Sequence, residues 1–205
     1  MLTTTARDEV ARYRYDVFVG RLGWDLPCAP GYDQDQFDVA EAVHVVANDD
    51  ADRILGYARL LPTTGPYLLG SLFPELLGGQ QPPSDPSIWE LSRYTATDTR
   101  PGVAASRHAE VVVGKLVLLE AIRAAVQRGA GSIVFCTTVA IERLAMRWGV
   151  DIRRLGAPVR GDGMLLVAAL IDFTPKTFAA LAVTEAEARP LEPAVPLPLR
   201  MALPL

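Results

Sequence analysis

Lysine is almost missing from this chain. Of its 20 basic residues only Lys115 and Lys176 are lysines, so nearly all positive charge is guanidinium, the group that grips carboxylate and phosphate bidentately. Cysteine and histidine are equally scarce. Cys28 and Cys136 are too few for a disulfide framework, and neither they nor His44 and His108 have metal-ligand spacing, so no metal site is expected. Cys136 lies in an apolar run and reads as core packing. No GxGxxG follows the first strand and no Walker A motif occurs, which excludes a doubly wound dinucleotide fold. No apolar run reaches membrane-spanning length, and Arg7, Asp8 and Glu9 stand where a signal core would be apolar. The chain is therefore expected to be cytoplasmic. A net charge of -4 offers no overall attraction for a polyanion such as nucleic acid. There is no internal repeat.

What remains is globular in composition. The 205 residues are 50% hydrophobic and 21% charged, enough for one domain with a real core. An N-terminal helix through Val10, Arg14, Val17 and Phe18 is predicted, with Arg14 and Phe18 on one face. An irregular loop follows, holding Trp24 and Tyr32. Residues 42–47 and 54–61 read as a hairpin around the turn 48–52, with Gly56 marking a bulge or a close backbone approach. A short element over 68–77 and a Gly/Pro-rich loop over 78–86 precede an apolar strand around Trp89. Then come a loop over 98–106, a helix over 109–128 stopped by Gly129, a strand over 132–136, a helix over 141–148 stopped by Gly149, and a strand over 165–171. A further helix is expected from Pro175. Residues 1–189 are expected to form the folded domain, and 190–205, with five prolines between Pro190 and Pro204, an extended tail. This order predicts an α/β protein, a single-domain three-layer α/β/α sandwich.

Two charged constellations stand out. In Trp89-Glu90-Leu91-Ser92-Arg93, strand alternation puts Glu90 and Ser92 on one face and Trp89, Leu91 and Arg93 on the other. A carboxylate and a guanidinium in an interior strand each need a partner or a ligand. The second comprises Asp35 and Asp38, around Phe37, with Arg59 inside the apolar strand 56–61. Arg59 is expensive there unless paired, and either aspartate is its natural partner. The set reads equally as a loop-to-sheet clamp or as an acidic pocket for a substrate ammonium.

In RYRYDVFVGRLGW, DQFD, GYARLLPTTGPYLL, LFPELL, WELSRY and CTTVAIERLAMRWG, the sequence resembles the LuxI-type acyl-homoserine-lactone synthases over roughly residues 12 to 172. The matching positions are Arg14, Phe18, Trp24, Asp35, Asp38, Arg59, Phe73, Glu90, Arg93 and Thr137. The resemblance implies a fold like the GNAT N-acyltransferases. It also implies transfer of an acyl group from acyl carrier protein, or alternatively acyl-coenzyme A, to the amine of S-adenosylmethionine. Lactonisation then releases 5'-methylthioadenosine, and no prosthetic group is needed.

On that resemblance Glu90 is the expected base, its pKa raised by apolar neighbours, or else a scaffold residue. Asp35, Asp38 and Arg59 order the loop and hold the substrate's charged end, with Arg93 organising the ion network. Arg14, Phe18 and Trp24 close over S-adenosylmethionine, Trp24 by stacking or by cation–π contact with the sulfonium. Ser92 shares the substrate side with Glu90, and Thr137 sits near the acyl chain. Phe73, Leu116, Met146 and Trp148 are expected along an apolar channel. Arg100, Arg107, Lys115 and Arg123 are candidates for docking the acidic carrier, and the helix start near His108 for receiving the pantetheine phosphate. The competing readings are a coenzyme A-dependent N-acyltransferase acting on another amine, and a non-enzymatic binding protein.

Overall fold

The computed structural model describes residues 4–100, 106–161, 163–183 and 200–202. Helix α1 (Thr4–Tyr15) passes directly into a π-helical turn (Asp16–Arg21). Strands β1 (Val43–Asn48) and β2 (Ile54–Pro62) follow, then the short α2 (Leu68–Leu72) and a 3-10 turn (Pro74–Leu77). Strand β3 (Ile88–Thr95) leads to the long α3 (Arg107–Val126), β4 (Ser132–Thr138) and α4 (Val139–Trp148). The chain continues through β5 (Ile152–Arg154), β6 (Val159–Gly161), β7 (Met164–Asp172) and α5 (Pro175–Leu181), and the last described element is β8 (Arg200–Ala202). The strands form one mixed sheet in the order β5-β7-β4-β3-β2-β1-β8, with β6 paired to β7. β3 and β4 are parallel, whereas β4, β5 and β6 each run antiparallel to β7 and β8 runs antiparallel to β1.

The predicted elements recur with small changes of boundary. The first helix differs in kind: it is α-helical only to Tyr15, and Leu22 N donates to Val17 O (3.0 Å), a five-residue spacing. The short strands β5, β6 and β8 were not expected. β8 belongs to the proline-rich tail, the rest of which lies outside the described residues, as does the loop 101–105.

Contacts divide the chain into two compact units, Met1–Arg59 with Arg93–Glu120 and Val183–Leu205, and Leu60–Ser92 with Ala121–Ala182. In the first, Val10, Tyr13, Val17 and Phe18 pack with Val46 and Tyr57; their spacing of three, four and one builds a helical apolar stripe. The hairpin turn is tied by Asp49, whose Oδ1 accepts from the amides of Ala51 and Arg53, both at 3.0 Å. Of the two roles expected for Gly56, close approach is the one seen. A Cβ there would lie 2.7 Å from Val117 and 2.9 Å from Val113, so α3 lies directly against β2. In the second unit Gly156 is tighter still, its Cβ position only 2.3 Å from Leu76 O.

Gly56→Ala and Gly156→Ala should each lower the urea midpoint, by about 1–3 kcal/mol in unfolding free energy. Gly156 should lose more, because a backbone carbonyl yields less than a valine methyl.

Candidate active site

Three arginines and three aspartates meet in the first unit. Arg14, on α1, presents its Nε/Nη2 edge to Asp33 (3.1 and 3.0 Å) and its Nη1 to Asp38 (2.7 Å). Arg59, on β2, donates from Nη1 to Asp35 (2.6 Å) and Asp38 (2.8 Å), and from Nη2 to Asp35 (3.2 Å). Arg93, on β3, donates to Asp33 through Nε (2.9 Å) and Nη2 (3.2 Å), and its Nη2 lies 3.1 Å from Asp35. Both aspartates foreseen as partners of Arg59 are therefore used. Each carboxylate meets at least two guanidiniums, so the set does clamp the loop to the sheet. The loop also folds on itself: Asp38 accepts from the Asp35 amide (2.9 Å) and Asp35 from the Phe37 amide (2.9 Å).

Burial alone would raise the pKa of Asp38, but Arg14 and Arg59 outweigh it and hold the carboxyl at about 2. For Asp33, burial is likewise opposed by Arg93 and Arg14, and the net direction is downward. Next to this network His44 Nδ1 lies 2.7 Å from the hydroxyl of Tyr57. Burial lowers the His44 pKa to about 4 and raises that of Tyr57 to about 12.

The network carries an aromatic pair. Phe18 is buried and its ring centroid is 4.8 Å from that of Trp24, which is 36% exposed. The Arg93 guanidinium lies 5.3 Å from the Phe18 ring and 5.9 Å from Trp24. Arg93 has φ +52°, left-handed backbone that costs a non-glycine residue about 1–3 kcal/mol. It breaks the pleat, so the alternation expected from Trp89 cannot be carried through position 93.

Glu90 is fully buried in the second unit. Its Oε2 accepts from the amide of Leu68 (2.9 Å) and its Oε1 from that of Leu69 (2.6 Å), anchoring the start of α2. The Cys136 thiol is pushed up to about 12 by burial and then by the Glu90 and Glu75 carboxylates, so it is no nucleophile. Ser92 is buried and Phe73 half-buried at the end of α2. Thr137 is half-buried on β4, and it is Thr138 that caps α4, accepting from Ile141 N (3.4 Å). Trp148 and Leu116 are half-buried, whereas Met146 is 46% exposed. α4 buries Glu142, which shares a face with Met146, in a pair with Arg154 (2.5 Å).

The four expected docking residues do not make one patch. Arg100 is bonded to Asp98. Arg107, Lys115 and Arg123 are spaced by eight residues on α3, so each is turned about 80° from the last and lies about 12 Å further on. Lys115 is half-buried. At the helix start, Ser106 Oγ takes the Ala109 amide (3.3 Å). A denser basic region went unnoticed: Arg143, Arg147, Arg153, Arg154 and Arg160 are all exposed. Against Glu142 and Asp151, those five arginines give residues 142–160 a formal charge of +3. The other residue missed is Asp33. Its signal was the third acid in DQDQFD, two residues before Asp35. Among the described residues no group of three or more His, Cys, Asp or Glu is placed to hold a metal.

An open mixed sheet of this kind is the GNAT-like fold. Within it, the autoinducer synthase model matches residues 1–181. The chain is 45% identical over 161 residues to the acyl-homoserine-lactone synthase of Acinetobacter nosocomialis, covering 78% of this chain and 88% of that one. It is also 45% identical over 184 residues to that of Ralstonia solanacearum, with 88% and 89% covered. Among solved structures it superposes on TofI, crystallised with an inhibitor and MTA, with TM-score 0.76, 37% identity and coverage of 91% and 95%. MesI, described as a CoA-dependent acyl-homoserine lactone synthase, gives TM-score 0.72 at 28% identity, covering 85% and 84%. The chain belongs to the LuxI-type acyl-homoserine-lactone synthase family. It is an acyltransferase that builds a homoserine-lactone quorum-sensing signal from S-adenosylmethionine.

Stability rises with pH in two separate windows, one set by aspartates such as Asp38 and one by His44. Asp38 falls from 3.8 to about 2 on folding, so its contribution is present above pH 3.8 and lost as pH falls towards 2. His44 falls from 6.5 to about 4; the unfolded chain binds its proton first, so stability is lost as pH drops from 6.5 towards 4. Urea midpoints for His44→Gln should flatten between pH 6.5 and 4 and keep the slope below 4. In the same assay Arg59→Met should cost about 3–5 kcal/mol, because it removes a guanidinium shared by Asp35 and Asp38 and leaves the network with one excess negative charge.

Proposed function

We propose that the acyl donor is acyl-acyl carrier protein and that S-adenosylmethionine sits against the Phe18–Trp24 pair, with the ion network beneath. The observation that carries the seat is this aromatic pair, held over a guanidinium whose charge is matched by Asp33 and Asp35. An aromatic face attracts a sulfonium, and a balanced network does not repel one. Arg14, Arg59, Asp35 and Asp38 order the loop that carries Trp24 and hold the substrate's charged end.

Amide formation needs the substrate amine as the free base, because an ammonium has no lone pair with which to attack the thioester carbonyl. Glu90 is the proposed acceptor of that proton, through a bridging water. The amides of Leu68 and Leu69 fix the orientation of its carboxylate. The new C–N bond then displaces the carrier thiol. Attack of the methionyl carboxylate on the carbon bonded to sulfur closes the lactone, breaks that C–S bond and releases methylthioadenosine. Ser92 is placed beside Glu90 in sequence as a further polar contact. Phe73, Thr137 and Trp148 are proposed to flank the acyl chain, with Met146 at its exposed end.

Carrier protein is acidic, and the exposed arginines of residues 142–160 supply the complementary charge that the chain as a whole lacks. Arg143 and Arg147 sit one turn apart on α4 and lead the docking assignment, with Arg107 and Arg123 secondary. MesI makes coenzyme A the rival donor.

Purified protein given S-adenosylmethionine should release methylthioadenosine faster with an acyl-carrier donor than with the same chain on coenzyme A. Arg143→Glu/Arg147→Glu should raise KM for the carrier substrate about tenfold and leave that for acyl-coenzyme A unchanged. Faster turnover of coenzyme A substrates, or equal loss with both, would overturn the carrier assignment. Glu90→Gln should lower kcat by about 10²–10⁴; a rate within threefold of wild type would remove Glu90 from the chemistry.

A further inference from the structure

Asp33 is a positioning residue for the synthase reaction, we infer: it sets the place and the effective charge of Arg93 beneath the aromatic pair, and so governs binding of S-adenosylmethionine. The inference rests on the substrate seat proposed above.

The carboxylate is 1% exposed and saturated. Its Oδ1 accepts from Arg14 Nη2 (3.0 Å) and Arg93 Nη2 (3.2 Å), and its Oδ2 from Arg14 Nε (3.1 Å) and Arg93 Nε (2.9 Å). With four donors on about four acceptor sites, Asp33 has none left for substrate and cannot act as a base. It can fix geometry. Both guanidiniums present their Nε/Nη2 edge to it, the fork arrangement that determines the plane as well as the distance. The backbone is pinned as well, with Asp33 N donating to Ala11 O (3.0 Å). One residue thus ties the loop to α1 and to Arg93, whose left-handed backbone needs such an external hold.

Charge gives the second part of the argument. Arg14, Arg59 and Arg93 balance Asp33, Asp35 and Asp38 one for one. S-adenosylmethionine brings a sulfonium and an ammonium against a single carboxylate. Replacing Asp33 with asparagine leaves the network with one excess positive charge under a cationic ligand, in a site where water screens poorly. The acyl donor has no such cation, so its binding is spared.

The test compares steady-state kinetics of methylthioadenosine release by wild type, Asp33→Asn and Asp33→Glu, varying each substrate in turn. Asp33→Asn should raise KM for S-adenosylmethionine about tenfold or more, with KM for the acyl donor within twofold. Asp33→Glu keeps the charge and should recover part of the loss. A KM for S-adenosylmethionine within twofold of wild type in Asp33→Asn, or an equal rise for both substrates, would overturn the inference. If Asp33→Asn shows no cooperative thermal transition, Asp33→Glu decides: a selective rise in KM for S-adenosylmethionine supports the role, and wild-type values for both substrates overturn it. Wild-type protein that releases no methylthioadenosine would instead sink the functional reading beneath it.

Discussion

Everything at the proposed substrate seat depends on three guanidiniums buried against three carboxylates. Arg14, Arg59 and Arg93 come from α1, β2 and β3, whereas Asp33, Asp35 and Asp38 all come from one loop. Withdrawing these charges from water, Arg14, Asp33 and Arg59 completely and the other three in large part, is costly, and Coulomb attraction repays it only when geometry is good and lone pairs are satisfied. Here bidentate forks and backbone amides meet that condition. Removing any one group leaves an uncompensated charge where little solvent reaches, so the network behaves as a unit. Such a unit is a weak source of net stability and a strong source of position. Residues 22–42 have no regular secondary structure of their own beyond a bridge between Ala29 and Tyr32, and the ion pairs are what give this loop its course.

The second unit holds its own buried carboxylates by comparable means. Glu90 is met by two backbone amides at the start of α2, and Glu142 by the fork of Arg154. In both cases an acid on one element fixes the start or the face of another. The Leu68 and Leu69 amides fix the orientation of the Glu90 carboxylate and favour its ionised form. Arg154 spends its fork on Glu142, so the docking role proposed for that region would fall to its other arginines.

Much of this was legible in the sequence because it rests on local rules. Gly129 and Gly149 mark helix ends through positive φ, at +85° and +91°, as a left-handed C-terminal residue requires. Arg59 in an apolar strand demanded a partner, and Asp35 and Asp38 were close enough in sequence to suggest themselves. What escaped depends on tertiary contact. Asp33 looks like any polar loop residue until Arg93, 60 positions away, closes on it. The π-turn after Tyr15 and the left-handed Arg93 contradict local propensity, and surrounding structure alone sustains them. The basic region 142–160 is split among α4, β5 and β6, and no single element carries its charge.

The shortage of lysine acquires a physical meaning only in part of the molecule. At Arg14, Arg59, Arg93 and Arg154 each guanidinium makes two or more directed bonds to carboxylate oxygens. A lysine ammonium is a compact, strongly hydrated point charge that cannot reproduce a planar fork, so substitution there would both misplace the carboxylates and raise the cost of burial. At Arg143, Arg147 and Arg160 the side chains are exposed, and attraction to an acidic partner depends mainly on charge, which lysine supplies as well. Composition is therefore a constraint of the buried network and a mere habit of the surface, and the two can be separated position by position by exchanging arginine for lysine.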